Sequence, residues 1–357
     1  MPEPRRLLID GHLDLAMNAL YLNRNLRQSV DEIRAAEAGK TGWGYGRGTT
    51  TFPELRKANI GISFVTVLAR TNPVGTSLLE FPTQEVAYAQ AQGQLAYYKV
   101  HERMGDLELI RTRGDLDRHL AAWDADPDGT PLGAVLTMEG ADPVVAVDHL
   151  EGWYADGLRI LSLAHYGPSA WAHGTHSVGG LKPGAIDLLH AMNHLGIGLD
   201  VTHLCDQSFA EAMAVFQGVV VATHSNARTL VPHERQFTDD QFRELFQRDA
   251  VIGCVLDAWM LQPGWVVGQS VPEVTLEALI DNIDHICQLA GNANHVAIGS
   301  DLDGGYGTEQ TPVDLDTIAD LQRIPEMLAN RGYGDANIDA IMHGNWLRIL
   351  ERLLPDD

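Results

Sequence analysis

Eight short apolar, β-rich runs recur along the chain, at residues 7–9, 62–68, 132–137, 158–163, 197–202, 219–223, 251–256 and 296–299. Stretches of helical period lie between them at 84–102, 185–195, 207–216, 239–248 and 276–289, and two more follow the last run at 314–330 and 335–353. Strand and helix in alternation mark a βα protein with a parallel sheet, and near-continuous apolar runs mark strands covered on both faces. What stands at the end of each run narrows the choice. The first polar residues there are His12 and Asp14, then Arg70, Glu139, His165, His203, His224, Asp257 and Asp301. In a (β/α)8 barrel the C-terminal ends of all eight strands meet at one mouth, so residues this far apart in sequence converge. A doubly wound open sheet is the competing architecture, but its first strand is followed by a glycine-rich phosphate turn. Asp10-Gly-His-Leu-Asp14 is not such a turn. The expected fold is an α/β (β/α)8 TIM barrel, one domain over residues 1–357 with loop insertions and C-terminal helices.

Composition removes several function classes. Lys and Arg number 25 against 48 Asp and Glu, a formal charge of −23, which disfavours nucleic acid or an anionic membrane surface as a partner. The three cysteines, Cys205, Cys254 and Cys287, are far apart and sit in apolar or helical stretches, so they read as buried thiols without a disulfide framework. No signal-peptide pattern precedes residue 7 and no run of about 18 apolar residues occurs, so a cytoplasmic enzyme is the expectation. Residues 39–48 (GKTGWGYGRG) read as a loop near the mouth or an exposed turn, and 123–131 (WDADPDGTP) as a surface turn cluster.

The strand-end residues have the chemistry of a metal site. His12 and Asp14 stand at i and i+2, on one side of extended backbone, where they could hold one ion or be satisfied by local hydrogen bonds. His203 and His224 each end a run and lie 21 residues apart, one helix plus one strand, so their imidazoles would stand side by side and hold a second ion. Glu139 ends the third run, where a buried carboxylate needs a cation, and it is the natural bridge between the two pairs. Mixed imidazole and carboxylate donors suit Zn²⁺ best, with Mn²⁺, Co²⁺ or Fe²⁺ as alternatives. A carboxylated lysine bridge is excluded because Lys40, Lys57, Lys99 and Lys182 all lie away from strand ends. Two ions about 3.5–4 Å apart activate water and polarise a carbonyl, which points to hydrolysis. Asp301 and Asp303 end the eighth run; one of them could ligate a metal, carry a proton, or simply cap a turn. His165 would point into the mouth and could stabilise an oxyanion.

Taken in order, Asp10-Gly-His-Leu-Asp14, Thr137-Met-Glu-Gly140, Asp200-Val-Thr-His203, Thr223-His-Ser225 and Gly299-Ser-Asp-Leu-Asp-Gly304 resemble the membrane (renal) dipeptidase family of zinc peptidases. The likeness extends from Ile9 to about Leu350, where HGNWLRIL is similar to the family's closing segment. It implies a TIM barrel of the metal-dependent hydrolase type with two zinc ions per chain, His12 and Asp14 on one, His203 and His224 on the other, and Glu139 bridging. It also implies that His165 contacts the substrate near the oxyanion, that Arg235 receives the substrate carboxylate, and that Asp301 is a catalytic acid near the scissile amide rather than a ligand. The implied substrate is a dipeptide, with a D-residue often tolerated second, and a homodimer is the family-level expectation. Two departures stand out: Leu13 replaces a common Asn, and the segment CVLDAWMLQPG at 254–264 differs from the family's Asn-Phe-Tyr type. Turnover of another small amide, an N-acyl amino acid or a lactone is therefore the second reading. A catalytically silent binding barrel is the third.

Overall fold

The computed structural model describes residues 6–75 and 77–356. Its centre is a closed barrel of eight parallel strands: β1 (Leu8–Leu13), β2 (Ile60–Leu68), β3 (Leu132–Glu139), β4 (Leu158–Ser162), β5 (Gly198–Asp200), β6 (Val220–Ala222), β7 (Val251–Cys254) and β8 (Val296–Ile298). Each pairs with the next, and β8 closes on β1 with Asp10 opposite Ile298. Every residue of these strands is buried, as apolar runs under a coat of helices require. All eight expected runs form strands. β1 continues to Leu13, so His12 lies within it, and Asp14 already occupies the N-cap position of the helix Leu15–Tyr21.

Three features differ from the sequence reading. A further short strand, Leu107–Leu109, runs parallel to the first half of β3, Leu107 opposite Leu132 and Leu109 opposite Ala134, while β4 pairs with β3 from Leu136 onward. Residues 314–330 are not one helix: a 3-10 turn, Ile318–Arg323, gives way to Ile324–Asn330, with Pro325 in the first turn of the latter. Proline fits there because it has no N–H to contribute and would break a continuous helix. Trp123 is not in a surface turn but inside the helix Arg113–Ala125, 4% exposed, its ring taken into the core. Of the cysteines, Cys254 and Cys287 are buried and Cys205 is half-buried; all three are free. No helix among the described residues is long and apolar enough to cross a membrane.

The interior of the barrel is a separate apolar cluster built from inward-facing Ile9, Phe64, Val135, Ile160, Val221 and Val251, and it is closed by the C-terminal helix Asn345–Leu353 through Trp346, Ile349, Leu350 and Leu353. That helix sits at the N-terminal end of the strands. Asn345 donates to the carbonyls of Ala293 (2.7 Å) and Val296 (2.8 Å), and Trp346 Nε1 donates to the Ile298 carbonyl at 2.8 Å. Higher in the barrel the strands crowd the Thr223 carbonyl oxygen. A Cβ at Gly253 or Gly299 would come within 2.0 or 1.8 Å of it, so only glycine lets β7 and β8 close on the end of β6, where His224 stands.

Candidate metal centre and cavity

At the opposite end the strand termini deliver the polar residues to one point. His203 Nε2 and His224 Nε2 lie 3.1 and 3.2 Å from Glu139 Oε1 and 3.2 Å from each other. The other oxygen of the same carboxylate, Oε2, lies 3.7 Å from His12 Nε2, which is in turn 3.7 Å from Asp14 Oδ2. Asp301 joins His12 and Asp14 in a group whose ligand atoms fall within 4.8 Å of one another. His165 Nε2 stands 3.7 Å from Glu139 Oε1. The i, i+2 pair therefore converges as expected, but Asp14 reaches the cluster from the start of a helix and not from extended backbone. Asp303 is turned aside: its Oδ1 accepts the Asp14 backbone N–H at 2.8 Å, so it holds Asp14 in place.

Hydroxyl groups set the histidine tautomers. Thr223 Oγ1 donates to Asp200 Oδ2 (2.6 Å) and lies 3.0 Å from His224 Nδ1. Thr175 Oγ1 donates to the His203 carbonyl (3.3 Å) and lies 3.0 Å from His203 Nδ1. Each hydroxyl, its proton committed elsewhere, accepts from Nδ1–H and leaves the Nε2 lone pair facing Glu139. Two buried aspartates tie the strands that carry the ligands. Asp10 Oδ1 accepts the N–H groups of His12 (3.1 Å) and Ser300 (2.8 Å), joining β1 to the end of β8. Asp200 Oδ1 accepts those of Thr202 (3.0 Å) and Thr223 (3.1 Å), joining β5 to β6. His203 and Asp301 both have positive φ, 69° and 54°, a backbone region sparsely used by non-glycine residues and concentrated where side chains are aimed for function.

The electrostatics of this cluster call for a cation. Burial drives His165, His203 and His224 well below the usual imidazole range, so all three are neutral, each with one N–H and one lone pair. Burial likewise pushes the Glu139 carboxyl up to about 7 and the Asp301 carboxyl well above its ordinary value. For His12, burial works downward but is outweighed by the Glu139 and Asp14 carboxylates, which push it up to about 10. Meanwhile His12 Nε2 and Asp14 Oδ1 are buried with no hydrogen-bond partner. Orphaned nitrogen and oxygen donors around one shared carboxylate fit divalent ions of the nitrogen- and oxygen-binding kind.

The cluster forms the floor of a cavity of about 580 Å³. Arg235 enters it from the segment after β6, buried, with Nη1 on Ser225 Oγ (3.3 Å) and Nη2 on the His224 carbonyl (2.7 Å), leaving its other N–H groups for a ligand. Segment 39–48 is a loop, and of the two expected places it takes the one near the mouth, where its Trp43 lines the cavity. Glu309 Oε1 accepts the Gly44 N–H at 2.8 Å, Gln310 Oε1 accepts Trp43 Nε1–H at 3.0 Å, and Arg24 Nη2 donates to the Gly44 carbonyl at 2.7 Å. Asp257 and Tyr306 line the same cavity; the Tyr306 hydroxyl is buried and unpartnered.

With this arrangement in hand, a family model described as membrane dipeptidase (Peptidase family M19) matches residues 4–354. The chain belongs to the membrane dipeptidase family. It is accordingly a metal-dependent hydrolase of the dipeptidase class. Among sequence relatives, a protein encoded 5′ of pqqA in Klebsiella pneumoniae is 30% identical over 271 residues, covering 73% of this chain and 94% of that one. An uncharacterized dipeptidase of Schizosaccharomyces pombe is 24% identical over 350 residues, 96% of this chain and 80% of that one. Among solved structures, a metallopeptidase from Rhodobacter sphaeroides, liganded with a phosphinate mimic of the dipeptide L-Ala-D-Ala, superposes with a TM-score of 0.79 at 22% identity over 98% of this chain and all of that one. This last likeness shows the barrel fold.

The sequence reading singled out His12, Asp14, Glu139, His165, His203, His224 and Asp301, which meet at the floor, and Arg235, which faces the same cavity. It did not assign roles to Thr175, Thr223, Asp10, Asp200 or Tyr306. Asp10 and Asp200 carried a signal, a charged residue inside an otherwise apolar strand. Thr175 carried none, because it reaches His203 from a loop 28 residues upstream.

Proposed function

We propose that the chain hydrolyses dipeptides at a binuclear zinc site, with His12 and Asp14 holding one ion, His203 and His224 the other, and Glu139 bridging. The observation that carries this reading is the division of the Glu139 carboxylate, Oε1 toward His203 and His224, Oε2 toward His12. Two Zn²⁺ ions in such a site lower the pKa of a water and polarise a carbonyl oxygen. The remaining work falls to the protein. Arg235 binds the C-terminal carboxylate through its guanidinium, for which a planar fork of donors is suited. His165, neutral because buried, keeps one ring N–H, which can donate to the carbonyl oxygen as charge develops there. Asp301 takes the proton of the attacking water and returns it to the leaving amine; a carboxyl raised by burial is suited to holding a proton between the two steps. The ligand of the Rhodobacter sphaeroides neighbour supports an L-Xaa–D-Xaa dipeptide as the first substrate to try.

The test pairs metal content with L-Ala–D-Ala turnover on one purified sample of wild type and Glu139→Gln. Two zinc ions per chain and turnover that the substitution abolishes are the expected outcome. Two zinc ions with hydrolysis only of N-acyl amino acids or lactones would move the reading to another small amide or ester, and no bound metal would overturn it.

A further inference from the structure

Asp257 is a carboxylate the mechanism above does not use. It stands just beyond β7, between the strand that carries His224 and the strand that leads to Asp301, and it is 6% exposed. A buried carboxylate is ordinarily paired with a cation or neutralised. Among the described residues no cationic side chain forms an ion pair with it, and its side-chain partner is a neutral amide: Gln310 Nε2 at 2.9 Å from Oδ1 and 2.8 Å from Oδ2. The Trp259 N–H adds a contact to Oδ1 at 3.3 Å. Gln310 is itself oriented by the Trp43 indole on its Oε1. A carboxylate has about four acceptor positions, so Oδ2 retains one, on a group that lines the substrate cavity.

The surroundings describe the missing partner. Trp259 adjoins Asp257, Trp43 bonds its partner Gln310, and Trp265 lines the same cavity, surfaces against which an alkyl stem packs and over which a cation is attracted. One open acceptor position suits a compact ammonium and not the two-pronged guanidinium. Arg235, on the segment from the neighbouring strand, takes the opposite charge, so the cavity presents a cation for the substrate's carboxylate and an anion for something else.

Resting on the dipeptidase reading, we infer that Asp257, held by Gln310 and Trp43, forms a specificity subsite for a substrate side chain ending in a primary ammonium, as in a lysine- or ornithine-containing dipeptide. The segment after β7 that carries Asp257 and Trp259 is then where this chain's substrate preference is set.

The experiment compares the zinc-loaded wild type on four substrates, Lys–Ala, Ala–Lys and their norleucine isosteres, with L-Ala–D-Ala as reference, then repeats the ratios with Asp257→Asn. Norleucine keeps the alkyl stem and lacks the charge. A lysine over norleucine preference in kcat/KM of about 10- to 100-fold at one of the two positions, the scale of a hydrogen bond between charged groups, is expected in wild type. In Asp257→Asn that ratio should collapse toward one. Equal turnover of lysine and norleucine substrates by wild type would overturn the inference without recourse to any variant, and so would a wild-type preference that persists in Asp257→Asn. If Asp257→Asn raised KM by the same factor for every substrate, Asp257 would be serving the α-ammonium or the fold, and the side-chain subsite would be wrong. Failure to hydrolyse any dipeptide, the reference included, would instead strike the dipeptidase reading.

Discussion

The two ends of the barrel are built on opposite rules. At the N-terminal end the helix Asn345–Leu353 seals the interior with Trp346, Ile349 and Leu350, and the polar atoms it brings, the Asn345 amide and the Trp346 indole, all find carbonyls. At the C-terminal end His12 Nε2, Asp14 Oδ1, His165 Nδ1 and the Tyr306 hydroxyl are buried without partners. The sealing helix pairs the buried polar side chains it brings and gains apolar burial, with His343 Nδ1 just before it and Trp123 Nε1 the exceptions nearby; the second end gathers its unpaired groups around one point, at a cost of about 1–3 kcal/mol each. A chain keeps such a cost where a bound ion or substrate supplies the missing partner, so the contrast separates the end that stabilises from the end that reacts.

The sharpest way to break that contrast is to substitute once at each end. Glu139→Gln removes the shared charge of the metal site, and turnover should fall on the order of 10³-fold or more, since such sites supply several kcal/mol of transition-state stabilisation. Its melting temperature without metal should not fall, because a buried carboxylate is exchanged for an amide of the same shape. Leu350→Ala at the sealed end should do the reverse. It should lose about 2–5 kcal/mol in denaturant unfolding, while kcat/KM per folded molecule and zinc stoichiometry stay at the wild-type values. A large stability loss in Glu139→Gln, or a matching loss of turnover in Leu350→Ala, would show that the two ends are not independent.

The charge stored at the reactive end should also appear in the pH dependence of stability. Burial pushes the Asp257 carboxyl up to about 7, against 3.8 when free. Between those values the folded protein holds a proton that the unfolded chain releases, so this group makes stability fall as pH rises from about 4 to about 7. In metal-stripped protein, Asp257→Asn should remove that decline, by a few kcal/mol at most, in paired unfolding curves at pH 4.5 and 7.5. A difference of the opposite sign would mean that the carboxylate is already paired with a cation.

Which parts of this arrangement could be read from sequence follows from the same contrast. Glu139, His203 and His224 were legible because each is the first polar residue after an apolar run, and strand ends in a closed barrel have only one place to go. The sealed end was legible only in outline, as the closing segment HGNWLRIL; that Trp346 lies against Gly11, where a Cβ would meet its ring at 2.5 Å, depends on packing between residues 335 positions apart. The short strand Leu107–Leu109 has too few residues to carry a period. The Trp43–Gln310–Asp257 wall joins three loops, and loop contacts leave no periodic trace.

The smallest expected effect tests how the reactive end is tuned. Thr223 Oγ1 sits between Asp200 Oδ2 and His224 Nδ1, and its geometry fixes the tautomer that presents Nε2. Thr223→Val keeps the shape and loses the hydroxyl, so the imidazole is free to carry its proton on Nε2, where it opposes an ion. Zinc affinity at that position should weaken by about 10- to 100-fold, the usual effect of removing such a supporting contact, as read by competition with a chromophoric chelator. Removing the hydroxyl also leaves Asp200 Oδ2 short of a donor and lowers stability, so affinity alone would not distinguish a tautomer effect from a loosened strand. Thr223→Ser resolves the two: it restores the hydroxyl without the methyl, and should recover zinc affinity even where packing is slightly impaired. Recovery in Thr223→Ser identifies the hydroxyl as the element that aims the histidine, whereas weak binding in both variants would assign the effect to packing and place Thr223 with the sealed end of the barrel in its manner of working.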